Sequence, residues 1–409
     1  MQPGGGRIAM FEGKTIVLGV SGGIAAYKAA QLASDLGKTA ADVHVIMTGN
    51  AAQFVTPLTF ETLVNNRVAI DTFDRNFEYN VEHVSLAKKA DVFIVAPATA
   101  NVIAKMAAGI ADDMLTTTLL AARCPKLVAP AMNTGMYDNP ITQRNLETLR
   151  RFGVTVLEPD SGLLACGDTG RGRLPAPAVL FEAVRRALAP QDMAGLRVLV
   201  TAGPTREAVD PVRFLSNRST GRMGYEVAAA ASRRGAAVTL VTGPTALAAP
   251  QGVEAVPVES AQEMFEAVAS RASVQDIIVK CAAVADFRPR TAAADKIKKG
   301  ASEGMTLELE RTRDILAYLG QTRAPGQVLC GFSMETRDLV AHSQEKLEKK
   351  HADMIVANNL NEPGAGFAVP TNAVTLLTKA GAEKLPLMGK DALADEIFDR
   401  LLAMRRERT

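Results

Sequence analysis

Apolar runs alternate with amphipathic stretches in the first half of the chain. Thr15–Val20 is a continuous apolar run, which is typical of a strand buried on both faces of a sheet. Residues 25–36 carry apolar side chains at helical spacing and end at Gly37, a residue that favours a helix C-terminus. A long helical stretch is predicted at 100–122. We expect further buried strands at 43–48, 92–96, 126–129 and 154–157.

The same pattern restarts after residues 185–194, where a predicted helix ends in proline and polar residues. We expect a helix at 224–234 and strands at 196–201, 235–242, 276–279, 328–331, 354–357 and 373–377. Strands that alternate with helices favour a parallel sheet that is covered on both faces. The sequence therefore predicts an α/β fold with two doubly wound, mostly parallel-sheet domains, residues 1–190 and residues 191–409.

Composition and charge exclude several classes of protein. The chain has 409 residues, 47% of them hydrophobic, which excludes a disordered chain and suits two domains. Its 46 basic and 44 acidic residues nearly cancel, so we expect no nucleic-acid partner and no anionic membrane surface. No apolar run is long enough to cross a membrane. Four widely separated cysteines without a Cys-x-x-Cys pair favour a reduced, cytoplasmic protein without a zinc site.

Small turns follow the predicted strands of the first domain. Ser21-Gly-Gly-Ile24 opens a helix, and such a turn offers backbone N–H groups and a helix dipole to a phosphate. Taken singly, it is more often plain packing. The turns at 48–50 and 97–101 would meet it at the same edge of the sheet. The G-x-G-x-x-G fingerprint is absent and no acidic residue ends the second strand, so a phosphorylated flat cofactor such as FMN fits better than NAD.

Three other side chains are candidates for chemistry. Asn133 lies in the turn after the strand at 126–129, where its amide can bind a carboxylate. Cys166 lies in a predicted loop with four glycines, residues 161–173, and a thiol there can be reactive and can donate a proton at neutral pH. His83 precedes a short helix, and by itself it is best explained as a surface histidine.

His83, Pro97-Ala-Thr-Ala-Asn101, Pro130-Ala-Met-Asn133 and Leu164-Ala-Cys-Gly167 occur in an order that resembles the flavin-dependent cysteine decarboxylases. Over essentially the whole chain, the sequence resembles the bifunctional phosphopantothenoylcysteine decarboxylase and phosphopantothenate–cysteine ligase family of coenzyme A synthesis. Three positions in this half depart from the family pattern: Tyr137 replaces Trp, Thr99 replaces Ser, and Gly23 replaces a frequent Ser. The last change removes one potential hydrogen bond to phosphate.

The resemblance implies a flavodoxin-like flavoprotein domain that binds FMN. In that domain the cysteinyl thiol is oxidised to a thioaldehyde, CO₂ leaves, and the reducing equivalents return, so there is no net redox change. Asn133 would bind the departing carboxylate, Cys166 would protonate the product, and His83 would assist thiol oxidation or position the substrate. The implied FMN contacts are Gly22, Gly23, Ile24, Thr48, Gly49, Asn50, Thr99, Ala100, Asn101, Val102 and Ala131.

Charged residues follow the strand at 276–279 in the second domain. Asp286 comes after the strand and is followed by the basic run 296–299. Such a run is usually solvated, but beside a carboxylate it can bind a triphosphate with Mg²⁺ sharing the charge. Lys346 and Lys350 are four residues apart and lie on one helix face, which would otherwise be an ordinary exposed face.

The resemblance implies that this half is a Rossmann-like ligase domain that uses CTP and Mg²⁺. The carboxylate of 4′-phosphopantothenate attacks the α-phosphate with release of pyrophosphate, and the amine of L-cysteine then displaces CMP. Asn217 would serve the acyl-nucleotide intermediate, Lys296 would be catalytic, and Asp286 would hold the metal. Arg313 stands where the family commonly has Pro, and the choice of CTP over ATP comes from the resemblance alone. The implied nucleotide contacts are Ala282, Asp286, Lys296, Arg313, Asp314, Ile315, Phe332, Lys346 and Lys350.

The resemblance also implies a homo-oligomer, a dodecamer built from trimers of the flavin domain and dimers of the ligase domain. Two other functions stay open. A two-domain nicotinamide oxidoreductase is disfavoured by the missing G-x-G-x-x-G. A flavoprotein subunit that regulates a partner is disfavoured because His83, Asn133 and Cys166 are all present.

Overall fold

The structure is a computed structural model that describes residues 10–74, 81–165, 167–298, 305–335, 338–359, 364, 366 and 369–408. Cys166 and Lys299 therefore lie outside the described residues. The chain separates into two compact units, one that ends at Ala189 and one that begins at Pro190. In the part of the chain that the structure describes, no helix is both long and apolar enough to cross a membrane.

The first unit contains a five-stranded parallel sheet in the order β2-β1-β3-β4-β5, which is the flavodoxin-like order. Its strands are β1 Thr15–Val20, β2 Asp42–Met47, β3 Val92–Ala98, β4 Lys126–Pro130, β5 Thr155–Val156, and the hairpin β6 Asp160–Leu163 with β7 Thr169–Arg173. Its helices are α1 Ala26–Gly37, α2 Pro57–Val64, α3 Glu82–Lys89, α4 Ala100–Ala108, α5 Met114–Ala121, α6 Thr134–Asp138, α7 Pro140–Arg151 and α8 Pro177–Leu188.

Strand β1 is apolar throughout because both faces of the sheet are covered. Ile16 and Leu18 pack into the apolar cluster on one face, whereas Val17, which points the other way, packs into the cluster on the opposite face. Alternate side chains of a strand point to opposite faces, so a strand between two helical layers must be apolar throughout. The predicted doubly wound parallel sheet is confirmed.

Two segments of the first unit differ from the prediction. The helical stretch predicted at 100–122 is two helices, because Gly109 ends α4 in the left-handed conformation and Asp113 caps α5 by accepting a hydrogen bond from Thr116 N (2.8 Å). The glycine-rich segment 161–173 was expected to be a loop. It forms most of the antiparallel hairpin β6–β7 instead, because strand pairing satisfies its backbone hydrogen bonds.

The second unit contains an eight-stranded sheet in the order β12-β11-β8-β13-β16-β17-β19-β20. Its first six strands are parallel and follow the Rossmann order, and β19 and β20 extend the sheet antiparallel. The sheet strands are β8 Arg197–Ala202, β11 Ala237–Thr242, β12 Val253–Pro257, β13 Ile277–Lys280, β16 Val328–Glu335, β17 Met354–Asn359, β19 Val374–Thr378 and β20 Gly381–Lys384. The helices are α9 Arg222–Arg233, α10 Ala261–Ala272, α11 Ile315–Thr322, α12 Leu339–Lys349 and α13 Lys390–Arg406.

The second unit also contains three short antiparallel pairs of strands among its described residues. They are β9 Arg206–Ala208 with β10 Phe214–Ser216, β14 Phe287–Pro289 with β15 Leu309–Arg311, and β18 Thr371–Asn372 with β21 Met388–Gly389. The apolar strand pattern did not predict these pairs, because each strand is too short for its periodicity to be detected. The β9–β10 pair leads directly into Asn217.

Candidate active sites

The first unit has a cavity of about 730 Å³ at the carboxyl ends of its strands. It lies where the strand order reverses between β1 and β3, which is where open α/β sheets bind ligands. Large apolar side chains are unusually exposed around it: Ile24 is 60% exposed, Met136 50% and Leu163 68%. An exposed apolar wall suits a flat aromatic ligand. Six residues predicted from the sequence line the cavity: Gly22, Gly23, Ile24, Thr99, Ala131 and Asn133.

Ser21 joins the two turns that form the floor of this cavity. Its buried hydroxyl donates to the carbonyl oxygen of Pro97 (2.7 Å) and accepts from the backbone N–H of Thr99 (2.9 Å). The sequence predicts Ser21 as part of a turn and assigns its side chain no role. A hydroxyl directly after a buried apolar strand was the available signal.

Packing requires only one of the two glycines in the first turn. A Cβ on Gly22 would lie 2.4 Å from the Cβ of Asn50, so the close approach of the turn after β2 excludes any side chain there. A Cβ on Gly23 would meet nothing nearer than Thr99 Cγ2 at 3.7 Å. Packing therefore leaves room for the serine that related sequences often have at position 23.

Several predicted cofactor residues lie beside the cavity and do not line it. Asn50 packs against Gly22, and residues 48–50 are not among the lining residues. Thr99 caps α4, and the side chain of Val102 is buried in the core, so only its backbone could contact a ligand. Ala100 and Asn101 lie in the first turn of α4. His83 lies on α3 and is not among the lining residues.

Asn133 is the N-cap of α6 and its amide is fixed at both ends. Its Oδ1 accepts from the backbone N–H of Gly135 (2.8 Å), and its Nδ2 donates to Asp168 Oδ2 (2.6 Å). The amide that was predicted to bind a carboxylate is thus bound to a carboxylate of the protein itself. Asp168 lies in the glycine-rich segment 161–173, and the sequence alone assigns it no role.

The hairpin β6–β7 closes one side of this cavity. The backbone N–H of Met132 donates to the carbonyl of Gly172 (3.0 Å), and a Cβ on Gly172 would lie 2.2 Å from Met132 O. Gly172 also has φ +132°, a conformation that L side chains rarely adopt. The close contact between hairpin and turn therefore depends on glycine. Cys166, predicted to be the proton donor, falls between the two strands and outside the described residues.

Tyr137, which stands where related sequences have Trp, is a core residue. Its ring is buried, and its hydroxyl donates to Glu158 Oε2 (3.1 Å). Burial, with the nearby Glu158 carboxylate, raises the pKa of Tyr137. The polar atom that tyrosine brings into this position therefore has a hydrogen-bond partner.

The second unit has a cavity of about 520 Å³ where its strand order reverses between β8 and β13. Asn217 enters it from the end of β10, with its Nδ2 donating to the carbonyls of Ala283 (3.1 Å) and Val284 (3.2 Å). Five residues predicted from the sequence line this cavity: Asn217, Ala282, Asp286, Phe332 and Lys346.

The second cavity is cationic. Lys346 donates from Nζ to the carbonyl of Phe332 (3.0 Å), and Lys280, the last residue of β13, also lines the cavity. Burial, with the repulsion of Lys346, lowers the pKa of Lys280 to about 8. Two lysines that repel each other inside a cavity favour a polyanionic ligand. Lys280 is not among the residues predicted from the sequence, although a lysine that ends a buried apolar strand is a usable signal.

Other predicted nucleotide contacts lie away from the cavity lining. Lys350 pairs with Asp314 (Nζ to Oδ2, 2.7 Å); burial raises the pKa of this carboxyl, but the hydrogen bonds from Lys350 and Ala317 leave it lowered. Ile315 is buried in the core. Lys296 is exposed and is not a lining residue.

Arg313 is accommodated without disturbing its turn. Its guanidinium carbon lies 4.9 Å from the ring centroid of Phe265, within the range of a cation–π contact. Asp314 then caps α11 by accepting from Ala317 N (2.8 Å). The helix cap, and not the proline that the family commonly has, holds this turn.

A metal ion in the second cavity would need ligands from the bound substrate as well as from the protein. Among the residues that can be described, no group of three or more His, Cys, Asp or Glu side chains could hold an ion. Asp286 lines the cavity and is exposed. A single carboxylate suits Mg²⁺, which usually takes one or two carboxylates and completes its shell with phosphate and water oxygens.

Comparisons with known proteins match both units. Residues 9–189 match the Flavoprotein family, and residues 193–404 match the DNA/pantothenate metabolism flavoprotein C-terminal domain.

The chain is similar to two coenzyme A biosynthesis bifunctional proteins, each named CoaBC. It is 48% identical over 403 residues to that of Bacillus subtilis (strain 168), covering 97% of this chain and 99% of the relative. It is 42% identical over 393 residues to that of Escherichia coli (strain K12), covering 95% and 97% respectively. A crystal structure of the C-terminal domain of a CoaBC protein is 42% identical, covers 53% of this chain and 98% of that chain, and has a TM-score of 0.45.

Proposed function

We propose a function for each unit from the premise that this chain belongs to the family of coenzyme A biosynthesis bifunctional proteins. The enzyme joins 4′-phosphopantothenate to L-cysteine and then decarboxylates the product to 4′-phosphopantetheine. Residues 191–409 carry the CTP-dependent ligase, and residues 1–190 carry the decarboxylase. The observation that carries this proposal is the pair of unlike cavities, one apolar and one cationic, at the two sheet reversals.

The residues of the first cavity fit FMN. The open space at Gly23 and the exposed side chains of Ile24 and Met136 leave room for a flat ring against an apolar wall. The turn at 22–24, with Thr99 and Ala131, would hold the cofactor. When bound, FMN supplies the reversible oxidation of the substrate's cysteinyl thiol.

The side chains around the cofactor orient the substrate. Asn133 binds the substrate carboxylate with the amide N–H₂ that Asp168 holds in this structure. The hairpin β6–β7 excludes water, and His83 assists thiol oxidation or positions the substrate. The Cys166 thiol then donates a proton to the product carbon after CO₂ has left.

The second cavity supports nucleotide activation of a carboxylate. Lys280 and Lys346 attract the phosphates of CTP, while Asp286 would hold Mg²⁺ that shares their charge. A carboxylate oxygen of 4′-phosphopantothenate attacks the α-phosphorus and pyrophosphate leaves. The cysteine amine then attacks the acyl carbon, loses a proton and expels CMP. Asn217 serves these steps from the end of β10, and Lys296 serves them from the exposed segment that follows β14.

The predicted assembly and location belong to the same proposal. A dodecamer would combine trimers of the flavin domain with dimers of the ligase domain in the cytoplasm. Size-exclusion chromatography with light scattering tests the stoichiometry directly.

One incubation tests both activities. The protein is mixed with 4′-phosphopantothenate, L-cysteine, CTP and Mg²⁺, and the products are identified by mass spectrometry. We expect 4′-phosphopantetheine from the unaltered chain and accumulation of phosphopantothenoylcysteine from Cys166→Ser. Full turnover by Cys166→Ser would remove Cys166 from its role. A protein that binds NADPH and shows no flavin absorbance would favour the oxidoreductase alternative.

A further inference from the structure

Asp210 is a buried carboxylate outside both cavities. It lies in the turn between β9 and β10, and its side chain has no exposed surface. One oxygen, Oδ1, accepts from the backbone N–H groups of Val212 and Arg213, both at 2.8 Å. These two bonds hold the local turn.

The other oxygen of Asp210 bonds to a distant part of the chain. Oδ2 accepts from the backbone N–H of Ile297 (3.1 Å) and from Arg213 Nη1 (3.1 Å). The same guanidinium nitrogen donates to the carbonyl of Ile297 (3.2 Å), and the N–H of Ala293 donates to the carbonyl of Val209 (3.0 Å). The segment 293–297 is therefore tied to the β9–β10 turn at both ends.

This carboxylate lies between two residues with proposed roles in ligation. Ile297 directly follows Lys296, whereas β10 leads directly into Asn217. Register in β9–β10 is set by antiparallel pairing of Leu215 with Glu207, so a shift of the turn would be transmitted along β10. Lys296 itself is exposed, and the hydrogen bonds of Ala293 and Ile297 on either side of it limit where its backbone can move.

We infer that Asp210 is a positioning residue for the ligase, which holds the Lys296 segment in a fixed relation to Asn217. The inference rests on the proposed ligase function. It concerns a residue that does not line the second cavity and that acts through the backbone of Ile297.

The charge state of Asp210 agrees with this geometry. Burial raises the pKa of its carboxyl, but hydrogen bonds from the N–H groups of Val212, Ile297 and Arg213 outweigh burial and lower it. Asp210 is therefore an anion at neutral pH, so both oxygens accept hydrogen bonds at once.

Asp210→Asn should break the hydrogen bond to Ile297 and keep those to Val212 and Arg213. Asparagine keeps one carbonyl oxygen for Val212 and Arg213 and presents an N–H₂ group to the N–H of Ile297, so two donors face each other. A small displacement of a catalytic group can lower activity by about a hundredfold, and we expect that loss in kcat/KM for CTP. Decarboxylation of supplied phosphopantothenoylcysteine by the same full-length protein should not change.

A double-mutant cycle tests whether Asp210 acts through Lys296. If it does, Asp210→Asn should have little further effect in a Lys296→Gln background. A full additional hundredfold loss in that background would overturn the inference. Asp192→Asn is the matched control, since Asp192 also pairs with an arginine of this unit (Oδ2 to Arg234 Nη2, 2.6 Å) but lies outside this network. It should leave ligation unchanged.

Hydrogen–deuterium exchange separates this inference from the proposed function. Amides 293–298 should exchange at least tenfold faster in Asp210→Asn than in Asp192→Asn, whether or not the chain ligates cysteine. Unchanged exchange would overturn the inference. Ile297→Pro removes the donor instead of the acceptor and should reproduce the loss of ligation if Asp210→Asn fails to fold. Absence of CTP-dependent pyrophosphate release from the unaltered protein would instead refute the proposed ligase.

Discussion

The two cavities lie at equivalent positions of related folds and differ in chemistry. Each lies where the strand order of a parallel sheet reverses. The first is bordered by exposed apolar side chains and closed by a hairpin, whereas the second is lined by lysines that repel each other. Backbone topology therefore selects the location of a site, and the residues after each strand select the ligand.

The largest effect is expected from Asn133→Asp in the first unit. The new carboxylate would face Asp168, which lies 2.6 Å from the present amide nitrogen, and it could not donate to a substrate carboxylate. Loss of one preorganised donor typically costs about 10²–10³ in rate, and we expect a loss near the upper value in decarboxylation. Ligation, measured as pyrophosphate release, should be unchanged. An equal loss of both activities would show that the two sites are not independent.

A smaller effect should separate Lys346, which lies on α12, from Lys350, which is the C-cap of the same helix. Lys346→Met removes a cation that lines the cavity, where a charged hydrogen bond is worth about 1.5–3 kcal/mol, so KM for CTP should rise about 10- to 100-fold. Lys350→Met removes a cation already paired with Asp314 outside the lining, and the rise should stay below about fivefold. Equal effects of the two changes would contradict this assignment of the nucleotide site.

The pH dependence of CTP binding should reveal Lys280. Its neighbours include Lys346, Asp314, Cys281 and Asp286, and without ligand its pKa is about 8. A bound polyanion favours the protonated form and raises this pKa, so affinity should be highest below pH 8. Above pH 8 it should fall by up to about tenfold per pH unit, because binding then requires uptake of a proton. Calorimetry in two buffers measures that uptake, and Lys280→Met should abolish it; an unaltered pH profile in the variant would exclude Lys280.

The smallest effect is expected from Gly23→Ser at the first cavity. The nearest atom to a new Cβ is 3.7 Å away, so the side chain fits and its hydroxyl can donate to a phosphate. One hydrogen bond of about 1 kcal/mol should tighten FMN retention about fivefold, as measured by flavin fluorescence during dialysis. Gly22→Ser is the control, because its Cβ would lie 2.4 Å from Asn50 Cβ, and it should weaken retention. Weaker FMN retention by Gly23→Ser would show that position 23 must lack a side chain for a reason other than packing.

Much of each fold was predictable, because long apolar strands and amphipathic helices leave periodic patterns. The sequence also predicted that Gly22, Thr99 and Asn133 would meet, because strand ends of a parallel sheet share one edge. It did not predict that the segment around Cys166 pairs into a hairpin, since glycine-rich strands carry little periodicity. Nor did it assign roles to Lys280, Asp168 or Asp210, whose partners are distant in the chain or depend on burial.

The sequence by itself determined the two-domain α/β plan, the turns that form the sites and the family to which the chain belongs. Local patterns suffice for these properties, because hydrophobic periodicity and short motifs are encoded in neighbouring residues. Only the tertiary structure decided that Asp168 holds the amide of Asn133 and that Asp210 holds the backbone beside Lys296. These contacts join residues that are 35 and 87 positions apart, and folding alone determines which acceptor reaches which donor.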